Sequence, residues 1–212
     1  MQGYILNILI FSYNCFVDLN MEIQELVNKE KIKESFREII ISIGENPDRD
    51  GLLDTPARLA VLYEELFSGL KLNPDEVLRE SFLEPESSDM IGIVGIPFYS
   101  ICEHHFLPFW GNVDVAYIPT DKIVGISKLV KAVEILSKRP QLQERLGAQL
   151  ANCILNILSP SGVGVRIEAE HMCMSMRGIK KPGTKVVTFN KFGLIDEQES
   201  SQLEFYEILR KK

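Results

Sequence analysis

Gly162-Val-Gly-Val-Arg-Ile-Glu-Ala-Glu-His-Met-Cys173 alternates in character. Val163, Val165, Ile167, Ala169, His171 and Cys173 fall on one parity, and Arg166, Glu168 and Glu170 on the other. Positions two apart on a strand share a face, so the pattern predicts a half-buried strand over 162–173 whose apolar row ends on an imidazole and a thiol. A cysteine closing a buried strand is ordinarily a small core hydrophobe. Here it shares its face with a histidine, and that pairing calls for partners elsewhere.

Partners stand in Cys102-Glu-His-His105, inside Ser100-Ile-Cys-Glu-His-His-Phe-Leu-Pro-Phe-Trp-Gly111. A thiol and an imidazole with two residues between them can meet on one small divalent ion, and the neighbouring carboxylate and imidazole of Glu103 and His104 remain free for proton transfer. Two ligands do not close a site. Adding Cys173 to Cys102 and His105 gives two thiols and one imidazole, three protein ligands with a fourth position open for water, which is the donor set of a catalytic rather than a structural zinc. β-Branched and aromatic runs at Ile91–Ile101 and Val113–Ile118 predict strands on either side of the motif, with Pro108 and Gly111 between them.

Farther out the periodicity is helical. Leu26, Ile32, Phe36, Ile39, Ile40 and Ile43 predict an amphipathic helix over Ile23–Ile43, with Gly44 as its cap. Thr55-Pro56 predicts a helix start with Thr55 as N-cap, and Arg58 in the first turn reads by default as a solvated charge. A short helix is expected after Asn73-Pro74. Ser127 is placed as the N-cap of a helix running to about Lys138, in which Lys128 and Lys131 share a face near the N-terminus. Such a pair suits phosphate or is simply a solvated face. A further helix is expected from Pro140 to Leu158, with Gln143 and Glu144 in its first turn, where a carboxylate normally serves the helix dipole. Arg177, Lys180, Lys181 and Lys185 form a basic run, followed by a strand over Lys185–Phe189 and a closing helix over Glu199–Arg210.

The chain has 212 residues, 45% of them hydrophobic, enough for one sizeable domain or a domain with a helical appendage. Its 23 Lys and Arg against 30 Asp and Glu leave −7, which argues against a general nucleic-acid or anionic-membrane surface, so an anionic ligand must be held by a local basic cluster. The four cysteines, Cys15, Cys102, Cys153 and Cys173, lack the spacing of a disulfide framework and fit reduced thiols in a cytoplasmic protein. Every histidine has at most two residues between it and a cysteine. The apolar run Tyr4–Val17 is too short for a membrane span and lacks signal-peptide flanks, so residues 1–20 read as a disordered or non-native extension with Met21 as a natural start. Residues 21–90 are expected to form an N-terminal helical region and 91–212 the catalytic domain.

Five motifs, Asp54-Thr-Pro-Ala-Arg58, Cys102-Glu-His-His105, Gly125-Ile-Ser-Lys128, Arg139-Pro-Gln-Leu-Gln-Glu-Arg-Leu146 and Glu170-His-Met-Cys-Met-Ser-Met-Arg-Gly178, resemble the GTP cyclohydrolase I family in order and content. The resemblance implies an α+β tunnelling fold, an antiparallel sheet with helices on one face, assembled by sheet pairing into a homodecamer with active sites at subunit interfaces. It implies zinc on Cys102, His105 and Cys173, water activated there for attack on C8 of GTP, release of formate, and rearrangement to 7,8-dihydroneopterin triphosphate on the way to folate or another pterin. In that scheme His171 shuttles a proton as the ring opens, His104 assists hydrolysis of the formyl intermediate, and Ser127 serves the ribose rearrangement. Glu144, with Gln143 beside it, receives the guanine edge, and Lys128, Lys131, Arg177 and, from another subunit, Arg58 clamp the triphosphate.

Two departures from the family pattern stand out. Lys131 replaces the usual arginine, keeping the charge but losing the planar fork, and Thr188-Phe-Asn-Lys-Phe-Gly193 replaces a run of small residues. Two other readings compete. A tunnelling-fold nitrile reductase of queuosine synthesis would need NADPH and a nucleophilic cysteine but no Cys-Glu-His-His set. A non-catalytic zinc-stabilised module would need only the ligands and leaves His104, His171, Ser127, Glu144 and Arg177 unexplained.

Overall fold

The computed structural model describes residues 27–84 and 89–210. The apolar run over 4–17 and the first residues of the helix expected from Ile23 lie outside them.

Helix α1 (Lys29–Ser42) starts where the Asn28 side chain accepts from the backbone N–H of Lys31 at 2.9 Å, and it ends in a Schellman motif. There Gly44, at φ +87°, donates to Ile41 O while Glu45 donates to Ile40 O. Helix α2 (Thr55–Leu66) begins one residue earlier than the hydroxyl suggests: Asp54 is the N-cap and makes no side-chain cap bond. Pro56 is tolerated in this first turn because the N–H it lacks would have had no intrahelical partner. A 3₁₀ turn (Ser68–Lys71) leads to the expected short helix, α3 (Pro74–Leu78), which Asn73 caps by accepting from the Asp75 N–H.

Strands β1 (Ser81–Leu83) and β4 (Lys122–Val124) pair with each other. The main sheet contains β2 (Ile91–Cys102), β3 (Pro108–Ile118), β5 (Pro140–Gln141), β6 (Gly162–His171) and β7 (Lys185–Gly193) in the order β5-β2-β3-β6-β7. Neighbours are antiparallel except for the two-residue β5 beside the end of β2. Pro108–Gly111, expected between strands, belongs to β3, where Pro108 opposes Ile101 and Phe109 opposes Ser100. Proline is accepted there because it is the first residue of its strand.

Helices α4 (Ile126–Ser137) and α5 (Gln143–Leu158) cover one face of the sheet. Leu146, Leu150, Ile154 and Leu158 meet Val163, Val165 and Ile167 there, all essentially solvent-free. The stretch expected to open α5 at Pro140 forms β5 instead. After α7 (Leu194–Glu197), α8 (Glu199–Arg210) covers one end of the opposite face: Phe205 lies over Gly164 and Ile208 over Gly92, positions where any side chain would collide. The rest of that face mixes exposed Tyr99, Val187 and Phe189 with charged side chains, Arg166 bridging Asp114 and Glu168. Among the described residues no helix is long and apolar enough to cross a membrane.

The strand opened by Gly162 stops at His171, and Met172–Ser175 forms a short helix, α6. His171 and Cys173 therefore do not share a strand face. The reason is loss of partners: His171 is the last residue paired with β3 and Glu170 the last paired with β7. Beyond them the backbone must satisfy its own polar groups, which it does through Met176 N–H to Met172 O at 3.0 Å.

Candidate metal and proton-transfer site

The connection from β2 to β3 is a tight turn. Cys102 N–H donates to Leu107 O and Phe106 N–H to Cys102 O, both at 2.9 Å, with Phe106 at φ +53°. This puts Glu103, His104 and His105 at one end of the sheet, more exposed than Cys102, which stays buried. From the other side, α6 presents Cys173. One donor atom each from Cys102, His105 and Cys173 lies within 4.8 Å of the others. Burial, reinforced by the neighbouring Cys102 sulfur, pushes the Cys173 thiol up. Two thiolates side by side repel each other but are favourable around a thiophilic divalent cation, and a neutral imidazole beside them completes a donor set that fits zinc.

Beside the cluster, His171 stacks on Phe109, ring centroids 4.6 Å apart and planes 5° from parallel. Its Nε2 lies 2.8 Å from Gln143 Oε1. Burial pushes the His171 pKa below its ordinary value, with Glu144 pulling the other way, which favours the neutral, proton-accepting ring. Arg177 Nη1 donates to His105 Nε2 at 3.0 Å, so the basic run begins at the rim of the cluster. His104 is exposed and stands edge-on to His105.

The remaining expected residues lie elsewhere in the chain. Val124, just before α4, bonds to the Tyr117 hydroxyl, and Tyr117 pairs with Ile91 at the start of β2. At the other end, Ser100 Oγ donates to Ser137 O at 2.6 Å. Helix α4 thus runs parallel to β2, which puts its N-terminus about 15 Å of helix away from the cluster end. Ser127, Lys128 and Lys131 occupy that far end. Ser127 is the second helical residue rather than the cap, because Gly125 takes the cap position in extended conformation. Lys128 pairs with Glu80, and Lys131 with Glu134 at 2.8 Å. Arg58, its side chain 76% exposed, pairs with Asp54 at the start of α2, whereas the other end of α2 packs Tyr63 and Phe67 against Phe106. One chain therefore gathers Cys102, His105, Cys173, Arg177, His104, His171, Gln143 and Glu144, and displays Ser127, Lys128, Lys131 and Arg58 apart from them.

Residues 32–210 match the model of the family described as GTP cyclohydrolase I. The chain belongs to the GTP cyclohydrolase I family. It is an enzyme of that type. It is 50% identical to GTP cyclohydrolase 1 of Streptococcus pyogenes over 87% of this chain and 95% of that one. It is also 50% identical to GTP cyclohydrolase 1 of Thermoanaerobacter pseudethanolicus and of Clostridium kluyveri (strain ATCC 8527 / DSM 555 / NBRC 12016 / NCIMB 10680 / K1), over 88% of this chain and all of each relative. Among solved structures, the apo archaeosine synthase QueF-Like aligns over 51% of this chain and 97% of its own at 21% identity, with a TM-score of 0.42.

For this GTP cyclohydrolase I family member, sequence reasoning passed over Arg145 and Gln141 as site residues. Arg145 donates to both carboxylate oxygens of Glu103, at 2.5 and 2.8 Å, and this bond holds the Glu103 carboxyl below its ordinary value. A cation in the first turn of a helix opposes the dipole, and that oddity was a readable signal. Gln141, buried, accepts from the Glu103 N–H at 3.1 Å through its backbone carbonyl and anchors its own side chain on Leu136 O and Gln149. Nothing in the sequence pattern marked it.

Proposed function

We propose that this chain is a zinc-dependent GTP cyclohydrolase I that opens the imidazole ring of GTP at C8, releases formate and yields 7,8-dihydroneopterin triphosphate, at the entry to tetrahydrofolate and pterin synthesis. The observation that carries the proposal is the convergence of Cys102, His105 and Cys173 within 4.8 Å next to an oriented His171. A zinc ion at those ligands supplies a Lewis acid that makes water nucleophilic at neutral pH.

The chain's own groups do the rest. His171, kept neutral by burial, takes and returns a proton at the imidazole nitrogen of the base, and His104, at the open rim, assists hydrolysis of the formyl intermediate. Glu144 faces outward from the first turn of α5 and receives the N–H groups of the guanine edge, with Gln143 beside it. An adenine, lacking those donors, would leave the carboxylate unpaired. Arg177, Lys128, Lys131 and Arg58 neutralise the triphosphate, and Ser127 serves proton transfer at the ribose oxygen.

The distance between the two groups of residues supports a homo-oligomer, a decamer in this reading, in which one copy's α4 and α2 complete another copy's cluster. Among the described residues β2 is paired with β5 only through Ile101 and Cys102, and β7 borders only β6, so both sheet edges have backbone groups to offer a neighbour. On the same reading residues 91–212 carry the chemistry and residues 21–90 contribute Arg58 to a neighbour, in a cytoplasmic enzyme whose acidic surface suits neither nucleic acid nor membrane. Incubating zinc-replete protein with GTP tests the proposal. Formate and, after oxidation, a fluorescent pterin are expected, and absence of both rejects it.

A further inference from the structure

Gln143 is 1% exposed, although it opens α5 beside the exposed Glu144. Its Nε2 lies 3.1 Å from Ile167 O, 3.0 Å from Val186 O and 3.2 Å from Thr188 Oγ1. Carbonyl oxygens only accept, so these two strand carbonyls determine which end of the amide carries the protons and use both of them. The other end, Oε1, is the atom 2.8 Å from His171 Nε2. An amide oxygen cannot donate, so the proton between them belongs to the histidine.

We propose that Gln143 is a positioning residue, which holds His171 as the Nε2–H tautomer and leaves Nδ1 as the atom that takes and returns the proton. Its catalytic consequence rests on the cyclohydrolase reading above; the tautomer does not. Phe109 fixes the plane of the ring, and Gln143 fixes its rotation within that plane. The same Oε1 accepts Nε2–H whether or not Nδ1 carries a proton, so the bond survives proton transfer and the ring need not turn. With both amide protons committed inside the chain, its oxygen on His171 and only 1% of the residue exposed, the Gln143 side chain does not present itself to a guanine edge, and base recognition falls to Glu144.

Neutron diffraction on deuterium-exchanged, zinc-loaded protein at pH 8.5 reads the tautomer directly. Nuclear density for a deuteron on Nε2 and none on Nδ1 is expected; the reverse overturns the proposal. In the Gln143→Leu variant, kcat for GTP should fall about tenfold or more, while KM and zinc content stay within about threefold of wild type. A rise in KM with kcat unchanged would place Gln143 on the substrate and overturn the proposal. If Gln143→Leu does not fold, the wild-type density still decides. If wild-type protein shows no GTP turnover, the cyclohydrolase reading fails while the density still tests the tautomer.

Discussion

Arg145 grips Glu103 with both arms of its guanidinium, 2.5 and 2.8 Å from the two carboxylate oxygens, and Glu103 follows Cys102 directly in the ligand turn. The first turn of α5 thus touches the site through three successive residues: Gln143 on His171, Glu144 toward solvent, and Arg145 on the turn. A bidentate pair fixes direction as well as distance. Replacing Arg145 with methionine keeps much of the packing and removes the grip. Zinc affinity and kcat should fall on the order of tenfold with far-UV circular dichroism unchanged; unaltered zinc affinity would show that the turn holds itself.

Cys173 joins the cluster from outside that turn, on α6. In the Cys173→Ala variant two ligands remain, which is too few for a closed zinc site. Metal analysis after dialysis should find zinc reduced to trace levels and formate release abolished. Because Cys173 sits on a short helix at the rim rather than in the apolar core, its melting temperature without metal should match that of metal-stripped wild type. Stoichiometric zinc in this variant would refute the assignment of Cys173 as a ligand.

Lys131 meets Glu134 and is half-exposed, a position from which an ammonium can serve a phosphate as a point charge only. Lys131→Arg restores a planar fork able to bind two oxygens. The KM for GTP should drop about threefold to tenfold, the equivalent of roughly 1 kcal/mol, with kcat little changed. A KM equal to that of wild type would mean that residue 131 does not reach the triphosphate.

On the face of the sheet opposite α4 and α5, the Lys185 hydrogen bond first and the Arg166 bond second hold the Glu168 carboxyl below its ordinary value of 4.5. A carboxyl depressed in the folded state stabilises the fold above its unfolded pKa and loses that contribution as pH falls through the folded value. The melting temperature of wild type should therefore exceed that of Glu168→Gln at pH 6 and above. The difference should shrink below pH 4.5 and close in stronger acid. A gap that persists unchanged in acid would assign the effect to packing.

Most of the fold was legible because each element carried its own period: the row from Val163 to Ala169 gave β6, and Leu203, Tyr206 and Leu209 gave α8 within its observed limits. Boundaries failed where tertiary partners decided them. Alternation carried β6 on to Cys173, but the strand ends where β3 and β7 stop pairing with it. Pro140 looked like a helix start and became β5 because the end of β2 offered a parallel partner. Within the site, the grouping of Cys102, His105 and Cys173 that the fold brings within 4.8 Å was readable from residue types. The roles of Gln141, Gln143 and Arg145 were not, since a buried amide or a first-turn arginine declares its partner only when the chain is folded.

The most direct test of the account is a zinc titration of metal-stripped protein with formate release from GTP as the readout. Formate production should rise linearly with added zinc and saturate at one ion per chain. Full turnover in the stripped protein, or one bound zinc per chain with no formate released, would contradict it.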